Sequence, residues 1–355
     1  MNIDLSGSPQ LITKTGNKNQ SADSYVLRNA LKMIDANTSH SANASKKTYP
    51  YWFILNPAAD KGRAKKRVDW LKKSLKRQEL DTVIQLTTMP SEATAFASQA
   101  KTCAGIIVAC GGDGTLNEVT QSLVHSDSVL GCLPIGSAND FFKNISEIEA
   151  EEAGISHLFN ATVQPVDVGQ VFYQAEHTSS SRFFLNSFGL GFSGRIAKMA
   201  AAITWLKGDL TYIYALLKVA ANYEAMQANV KLHTQDGIIS LDQEKIYMLS
   251  IGNGKVEAGK FKIAPQAEIN DGWLDVCILK DISRSDLPRW ILKYLTGKQI
   301  GESQIVYAKA KKIEIELFRP ECLHMDGEVI ENVQGKLTIE VRPRALNVLS
   351  SKKLS

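Results

Sequence analysis

The chain has 355 residues, of which 44% are hydrophobic and 22% are charged, so it is long enough for two globular domains with proper cores. The formal net charge of only +4 does not indicate a nucleic-acid partner, so none is predicted, and no apolar run is long enough for a transmembrane helix. The N-terminus lacks the basic and apolar regions of a signal peptide, which predicts a cytoplasmic protein. The cysteines form no CxxC pair, which predicts reduced, buried thiols.

The first part of the chain differs in composition from the rest. Residues 1–47 are rich in Ser, Asn, Thr and Lys, which predicts a flexible N-terminal extension. A strand is then predicted over 49–57, followed by a strongly basic segment over 61–77. That segment carries an apolar stripe at helical spacing, formed by Ala64, Val68, Leu71 and Leu75. We interpret it as a helix whose basic face is either solvated or attracted to phosphates or to an anionic membrane.

Strands and helices alternate through the next part of the chain. A strand is predicted over 81–88, and a helix follows with Ser91 as its N-cap. A nearly all-apolar strand over 104–110, the helix "TLNEVTQSLVH" and the strand "SVLGCLPIG" continue the pattern. Such alternation predicts a doubly wound α/β domain, which we assign to residues 48–163.

The pattern changes after about residue 164 to short strand-like runs that are separated by Gly, Asn and Asp turns. A helical insertion over 194–228 and a shorter one over 287–295 interrupt these runs. The pattern predicts a mainly antiparallel, β-rich domain over 164–343. The last residues, 344–355, are predicted to return to the first domain.

The stretch "VACGGDGTLNEV" places a glycine-rich loop between a strand and a helix. Glycines let a backbone approach a ligand closely, and amides exposed at such a loop bind phosphate. Asp113 would repel a phosphate unless a cation lies between them, and Mg²⁺ accepts both kinds of oxygen. The alternative is a tight turn with a capping aspartate. The spacing fits neither a Walker P-loop nor a GxGxxG motif.

Two further loops repeat the strand–glycine–polar pattern, namely "NPAADKGRAKK" and "LPIGSANDFFKN". Together with "GGDGTLNEV", and followed in order by "VDVG", "FLNSFGLGF", "GNGKVEAGKFKIAPQAEINDGWLDV" and "HMDGE", they give the chain a recognisable signature. From about Tyr51 to the C-terminus the sequence resembles the diacylglycerol-kinase catalytic family, which includes bacterial lipid kinases and the sphingosine and ceramide kinases. The resemblance implies a nucleotide-binding α/β domain followed by a β-sandwich-like domain.

The resemblance also implies an ATP site. The residues that would hold ATP are Asn56, Thr87, Gly111, Gly112, Asp113, Gly114, Thr115, Leu116, Asn117, Ser137, Asp140 and Asp167. Among them, Asp113, Asp140 and Asp167 would organise Mg²⁺ and water around the phosphates. The alternative interpretation of Asp140 is a helix N-cap, and the alternative interpretation of Asp167 is a turn residue between strands.

In the second domain, Glu328 matches the general base of the family, and Asp326 would help to hold its network. A carboxylate in hydrogen-bond reach makes a lipid hydroxyl a better nucleophile by accepting its proton. A hairpin turn at Asp-Gly is the alternative interpretation, and the two are compatible. The resemblance further implies a second Mg²⁺ site at Asp271 and the backbone carbonyls of Glu268 and Trp273, where a plain turn is the alternative.

The activity implied is that of an ATP- and Mg²⁺-dependent lipid kinase acting on a hydroxyl of a diacylglycerol-like or sphingoid lipid. An NAD kinase-like enzyme and a non-catalytic nucleotide- or lipid-binding module are the alternatives; the retention of Asp113 and Glu328 disfavours the module. The implied partners are a membrane lipid substrate and, transiently, the membrane surface, with peripheral association during catalysis, and a homodimer is compatible with the resemblance. Aromatic residues that could assist membrane contact, although burial is the simpler interpretation of each, are Phe141, Phe142, Trp205 and Phe261.

Overall fold

The structure, a computed structural model, describes residues 10–12, 49–62, 64–77, 82–148, 154–175, 178–203, 205 and 209–354. The predicted N-terminal extension lies outside the described residues, except that Gln10–Ile12 forms a short strand, β1. The chain divides into two compact units. The first consists of Met1–Val166 and Ala345–Ser355, and the second of Asp167–Arg344.

The first unit is built on a parallel sheet. Its strands are β2 (Tyr49–Leu55), β3 (Thr82–Leu86), β4 (Ala104–Gly111), β5 (Val129–Pro134) and the end of β14 (Glu328–Ser350). Their order is β1-β3-β2-β4-β5-β14, and every neighbouring pair is parallel except β1 with β3. The C-terminal residues join the sheet because Asn347 pairs with Val129 of β5.

Helices cover both faces of this sheet. They are α1 (Lys65–Arg77), α2 (Glu92–Ala100), α3 (Asp113–Leu123), α4 (Phe142–Ile145) and α5 (Ile155–Asn160), and a 3-10 turn spans Ala59–Gly62. Phe53 of β2 shares a core with Leu71 and Leu75 of α1, so the predicted apolar stripe of the basic helix is confirmed. Because strand side chains alternate, Trp52 and Ile54 face the opposite side, and both are buried as well. The all-apolar strands of the sequence therefore reflect burial on two faces.

The second unit is mainly antiparallel, and its elements follow the predicted strand-rich pattern. They are β6 (Thr162–Ala175), β7 (Thr178–Phe184), β8 (Ser187–Gly191), α6 (Phe192–Ala202), α7 (Asp209–Asn222), β9 (Met226–Thr234), β10 (Gly237–Gly252), β11 (Leu274–Lys280), a 3-10 turn at Arg284–Asp286, α8 (Leu287–Thr296), β12 (Ile305–Ala310), β13 (Lys312–Met325) and β14. The helical insertion predicted over 194–228 is thus two helices, and β9 already begins at Met226.

Two long strands change partners along their length and so form a layered core. β10 pairs with β9 through 237–246 and with β8 and β11 through its second half. β13 pairs with β9 through 312–317 and with β8 through 323–325. Register shifts mark the changes, as expected where a strand bends between layers. The prediction of an α/β unit followed by a β-rich, sandwich-like unit is confirmed.

The cysteine prediction is confirmed in that all five are free and four of them are buried, the exception being the half-buried Cys103. Within the part of the chain that the structure describes, no helix is long and apolar enough to cross a membrane. Phe141 and Phe142 are buried, as the simpler interpretation expects, whereas Trp205 is 67% exposed.

Candidate active site

Strand order in the first unit determines where its loops meet. β2 has β3 on one side and β4 on the other, so the topological switch point lies between β2 and β4. Ligands of open α/β sheets bind at such a point, beyond the carboxyl ends of the strands. Asn56, which follows β2, donates its backbone N–H to Cys110 at the end of β4 and its side-chain Nδ2 to Thr115 Oγ1 at 3.1 Å. The structure therefore brings the predicted residues Asn56 and Thr115 together.

The glycines of the loops after β4 and β5 are required by close backbone packing. A Cβ atom on Gly136 would lie 2.3 Å from Gly112 Cα and 2.9 Å from Asn139 Oδ1. A Cβ atom on Gly111 would lie 2.4 Å from Thr115 Oγ1. Real Cβ contacts are essentially never this short, so Gly112 and Gly136 meet as bare backbone and Gly111 leaves space for the Thr115 side chain.

This contact lies at the start of α3, whose first residue is Asp113. The first N–H groups of a helix have no intrahelical acceptor, and Gly112 at the N-cap provides no side-chain hydrogen bond to them. Such a helix start, beside a surface of glycine backbone, attracts anions. The loop at Gly111, Gly112 and Gly114 is therefore compatible with the triphosphate that the sequence implies.

Asp113, at the start of α3, lies close to the loop that carries Asp140. Asp113 Oδ1 accepts a hydrogen bond from the backbone N–H of Phe141 at 3.3 Å, and Asp140 Oδ1 accepts one from Lys143 Nζ at 2.9 Å. Among the described residues, no group of three or more His, Cys, Asp and Glu side chains is arranged to hold a metal ion. Two carboxylates still suit Mg²⁺, because this ion usually takes its remaining ligands from substrate phosphates and water.

The other predicted ATP residues of the first unit fall into two groups. Thr87 follows β3 and donates its backbone N–H to the end of β2 at 2.9 Å, and Ser137 is exposed on the loop after β5. Leu116 is instead 4% exposed, and Asn117 Oδ1 accepts a hydrogen bond from Gln121 in the interior of the unit. The side chains of Leu116 and Asn117 therefore serve the core of the unit.

The candidate base of the second unit, Glu328, follows a tight hairpin turn between β13 and β14. Asp326 and Gly327 both have positive φ, at 49° and 85°, and Met325 pairs with Glu328 across the turn. These angles are those of a type I′ turn, for which Asp-Gly is a preferred sequence. The hairpin interpretation and the base interpretation of "DGE" are therefore compatible, as the sequence indicates.

The Asp326 carboxylate fixes this turn to the start of β8. Its oxygens accept hydrogen bonds from the backbone N–H groups of Leu185 at 2.7 Å, Asn186 at 2.9 Å and Ser187 at 2.9 Å. Asp326 is 7% exposed, so these charge-assisted bonds are shielded from water. The turn that carries Glu328 is consequently held in one place relative to β8.

Glu328 forms an ion pair with Arg182 of β7. The two side chains are 27% and 31% exposed, so solvent reaches both of them. The Arg182 guanidinium donates a hydrogen bond to Glu328 Oε2 in addition to pairing with its charge. Arg182 therefore orients the carboxylate of the candidate base.

Two buried asparagines connect these motifs within the second unit. Asn253 Nδ2 donates to the backbone oxygens of Leu185 at 2.6 Å and of Asp167 at 2.9 Å. Asn186 Nδ2 donates to the backbone oxygen of Val256 at 2.8 Å. The stretches "VDVG", "FLNSFG" and "GNG", which are far apart in sequence, are thus joined through side-chain amides.

Asp167 lies in this second unit and is fully buried. Its carboxylate oxygens accept hydrogen bonds from the backbone N–H groups of Gly272 at 2.6 Å and Arg344 at 2.7 Å. Burial raises the pKa of Asp167 above its ordinary value, although both amides act to lower it. These contacts indicate that the Asp167 side chain fastens the 272 turn to β14.

The implied second cation site centres on Asp271, whose carboxylate already contacts a positive charge from the chain. Lys309 Nζ forms an ion pair with Asp271 Oδ2 and lies 3.7 Å from Asp275 Oδ2. Asp271 Oδ1 accepts the backbone N–H of Trp273 at 3.0 Å, and the Trp273 ring stacks under the Lys311 ammonium. A divalent ion at Asp271, Glu268 and Trp273 would therefore have to displace Lys309, so the site does not fit the ion as it stands.

A second buried pair lies next to the Glu328 hairpin. His324 is 2% exposed, and its Nε2 lies 3.1 Å from Glu257 Oε1. Burial acts to lower the pKa of His324, but the Glu257 carboxylate outweighs it and raises the pKa above its ordinary value. The imidazole also lies against β8, because a Cβ atom on Gly189 would be 2.2 Å from its Nε2.

Sequence reasoning did not identify Arg182 or Lys309. Arg182 comes from a strand without a recognisable motif, and Lys309 is one lysine among several in "AKAKK". Only strand pairing determines which acids they face. His324 carried the better signal, because it stands inside the motif "HMDGE".

Comparisons with known proteins agree with the order of these motifs. Residues 50–171 match the "Diacylglycerol kinase catalytic domain", and residues 186–350 match the "YegS C-terminal NAD kinase beta sandwich-like domain". A "Diacylglycerol kinase" of Bacillus subtilis is 26% identical over 78% of this chain and 88% of its own length. A "Probable lipid kinase YegS-like" of Pseudomonas aeruginosa is 31% identical over 68% of this chain and 75% of its own length. A crystal structure of a diacylglycerol kinase from Bacillus anthracis has the same fold, with a TM-score of 0.62, 21% identity, and 86% of this chain and 98% of that chain covered.

Proposed function

We propose that this chain, which belongs to the family of diacylglycerol kinases and YegS-like lipid kinases, transfers the γ-phosphate of ATP to a hydroxyl of a diacylglycerol-like or sphingoid lipid. The observation that carries the proposal is the contact between Gly112 and Gly136 at the N-terminus of α3. Bare backbone beside the first N–H groups of a helix is the arrangement that phosphate-binding loops use.

In this proposal the first unit binds the nucleotide. The backbone of the Gly111–Gly112 loop holds the phosphates, and Asn56, Thr87 and Ser137 surround them with small polar groups. Asp113 and Asp140 would hold Mg²⁺, which neutralises charge on the phosphates when it is bound. The hydrogen bonds of Asp167 favour a positioning role for that residue over direct contact with the ion.

The second unit would supply the base and receive the lipid. The lipid hydroxyl oxygen forms a bond to the γ-phosphorus, and the bond from that phosphorus to the β–γ bridging oxygen breaks, so that ADP leaves with the electron pair. The hydroxyl proton passes to the Glu328 carboxylate. Asp326 keeps Glu328 in position through the turn, and Arg182 keeps the carboxylate oriented before transfer.

The test is the transfer of labelled γ-phosphate from ATP with Mg²⁺ to vesicles that contain diacylglycerol, phosphatidylglycerol, sphingosine or ceramide, with a separate arm for NAD. Asp113→Asn and Glu328→Gln are compared with wild type. Glu331→Gln is the matched control, because Glu331 lies on the same strand in an exposed ion pair with Lys198.

We expect wild type and the control to label one lipid and both site variants to lose this labelling. The labelled lipid would also identify the acceptor. Labelling of NAD in place of lipid would establish the NAD kinase-like alternative. Binding of ATP without labelling of any acceptor would leave a nucleotide-binding module and would refute the proposed reaction.

A further inference from the structure

Large apolar side chains are exposed close together on the second unit, around helix α7. Trp205 is 67% exposed, Ile213 54% and Leu217 62%. Ile213 and Leu217 are four residues apart in α7 and so share one face of the helix. The Trp205 ring meets the Tyr214 ring edge-on, with centroids 5.3 Å apart, and this contact joins Trp205 to the helix.

Helix α7 also has a side that faces the core, so a missing core contact does not explain the exposed residues. Thr211 is 5% exposed and Ala215 is fully buried, so the helix already packs one side against the unit. Single exposed apolar residues are normal on protein surfaces, but a cluster of this kind marks a contact site. A helix that is apolar on its outer face as well as on its inner face needs a second apolar surface.

The chemistry at the edge of the cluster indicates what that surface is. Lys218 is adjacent to Leu217 in sequence, and its ammonium lies 5.7 Å from the centre of the Tyr214 ring. Tryptophan, tyrosine and lysine are the residues that prefer the boundary between acyl chains and head groups, where apolar stems insert and polar ends stay hydrated. A two-fold contact centred on Tyr214 between copies of the chain would instead bring two Lys218 ammonium groups together.

We propose that Trp205, Ile213, Tyr214, Leu217 and Lys218, which we call the α7 surface, form the site at which this protein docks on a lipid bilayer. The proposal rests on the proposed function, because a lipid kinase has to reach an acceptor that resides in the bilayer. Lys218, at the edge of the α7 surface, favours a bilayer with anionic head groups.

The α7 surface is firmly connected to the candidate base within the second unit. α7 packs against α6, which continues directly from β8. α6 in turn is closely packed on β13, because a Cβ atom on Gly194 would lie 2.2 Å from the Cys322 backbone oxygen. Arg195 of α6 also forms an ion pair with the buried Glu321 at 2.9 Å. β13 then leads into the turn that carries Glu328, so docking through α7 would hold the base at a constant distance from the bilayer.

The experiment measures binding to vesicles in the absence of ATP, so that it does not depend on turnover. Sedimentation with vesicles of phosphatidylcholine and phosphatidylglycerol is compared for wild type and for the double variant Ile213→Gln, Leu217→Gln. Leu292→Gln is the matched control, because Leu292 is also 62% exposed and lies on α8 of the same unit. All three substitutions are at exposed positions, and melting curves establish that the variants remain folded.

We expect the affinity for vesicles to fall about tenfold or more in the double variant, because two inserted apolar side chains are lost. We expect Leu292→Gln to bind as wild type does, and Trp205→Phe to remove most of the change in tryptophan fluorescence that vesicles cause. Equal vesicle binding by wild type and the double variant would overturn the proposal. The proposal would also be overturned if the double variant converted a dimer to a monomer while vesicle binding stayed unchanged, since the α7 surface would then join two copies.

The two proposals fail in different ways. A chain that binds vesicles through the α7 surface but phosphorylates no lipid contradicts only the proposed reaction. If the α7 substitutions change neither the phosphorylation of vesicle-borne lipid nor the binding of vesicles, only the proposed docking surface is contradicted.

Discussion

Removal of the Asp326 carboxylate tests the hydrogen-bonded turn that carries the candidate base. Asp326→Ala leaves three backbone N–H groups, those of residues 185–187, without their acceptor in a site that is 7% exposed. Each buried donor that loses its partner costs about 1–3 kcal/mol. Water will enter part of the space that the carboxylate vacates, so we take the low end for each donor and expect a loss of about 3 kcal/mol in the free energy of unfolding.

Urea denaturation measures this loss, and hydrogen exchange of the amides at 185–187 localises it. Asp326→Asn keeps one acceptor oxygen and should lose roughly half as much stability. Glu331→Ala is the control, because its exposed ion pair with Lys198 contributes less than about 1 kcal/mol. The role assigned to Asp326 would be refuted if Asp326→Ala lost no more unfolding free energy than the control and hydrogen exchange at 185–187 were unchanged.

Three further predictions concern other parts of the molecule. Gly136→Ala should weaken ATP binding about tenfold or more in calorimetric titration, whereas Gly154→Ala, where the nearest atom to the added Cβ is 3.8 Å away, should not. The pKa of His324 is raised in the folded state, so its pair with Glu257 stabilises the fold fully below the ordinary histidine pKa of about 6.5. This stabilisation is lost as the pH rises through the folded-state pKa. Glu257→Gln should flatten this pH dependence of the unfolding free energy, and an unchanged slope would contradict the pairing. Lys309→Met should melt at a higher temperature with Mg²⁺ than with a chelator, because the variant lacks the ammonium that contacts Asp271 and Asp275. Wild type should melt at the same temperature under both conditions. If the chelator lowers the melting temperature of wild type, the Lys309 ammonium does not take the place of a Mg²⁺ ion.

The sequence predicted those elements whose pattern is local. The apolar runs of β2 and β4, the amphipathic stripe of α1 and the helix near Leu287 all carry their period within a few residues, and the structure contains them close to the predicted bounds. The loops at Gly111 and Gly136 were also visible, because close backbone contact requires glycine in any context.

Contacts between distant strands were not predictable, because they depend on register. Asp326 and Leu185 are separated by 141 positions, and their hydrogen bond follows from the pairing of β13 with β8. Arg182 faces Glu328 across 146 positions for the same kind of reason. No pattern within β7 indicates which acid its arginine will meet.

One local prediction was wrong in its detail. Ser91 stands at the N-cap of α2, as predicted, but it has a φ of 68° and makes no side-chain cap bond. The backbone N–H of Ala93, in the first turn of the helix, donates instead to Glu118 Oε2 at 3.2 Å. The Glu92 carboxylate accepts the backbone N–H groups of Thr88 and Met89, which precede the helix, and those bonds lower the pKa of Glu92.

The role of Glu328 as the base is tested by measuring phosphoryl transfer and ATP binding in the same preparations of wild type and Glu328→Gln. With vesicle-borne lipid and Mg²⁺, we expect the variant to lose transfer by about 100-fold or more, because the proton acceptor is gone. Its affinity for ATP should be unchanged, because the nucleotide is proposed to bind to the loops of the first unit. Transfer at the wild-type rate by Glu328→Gln would contradict the claim that this carboxylate is the base.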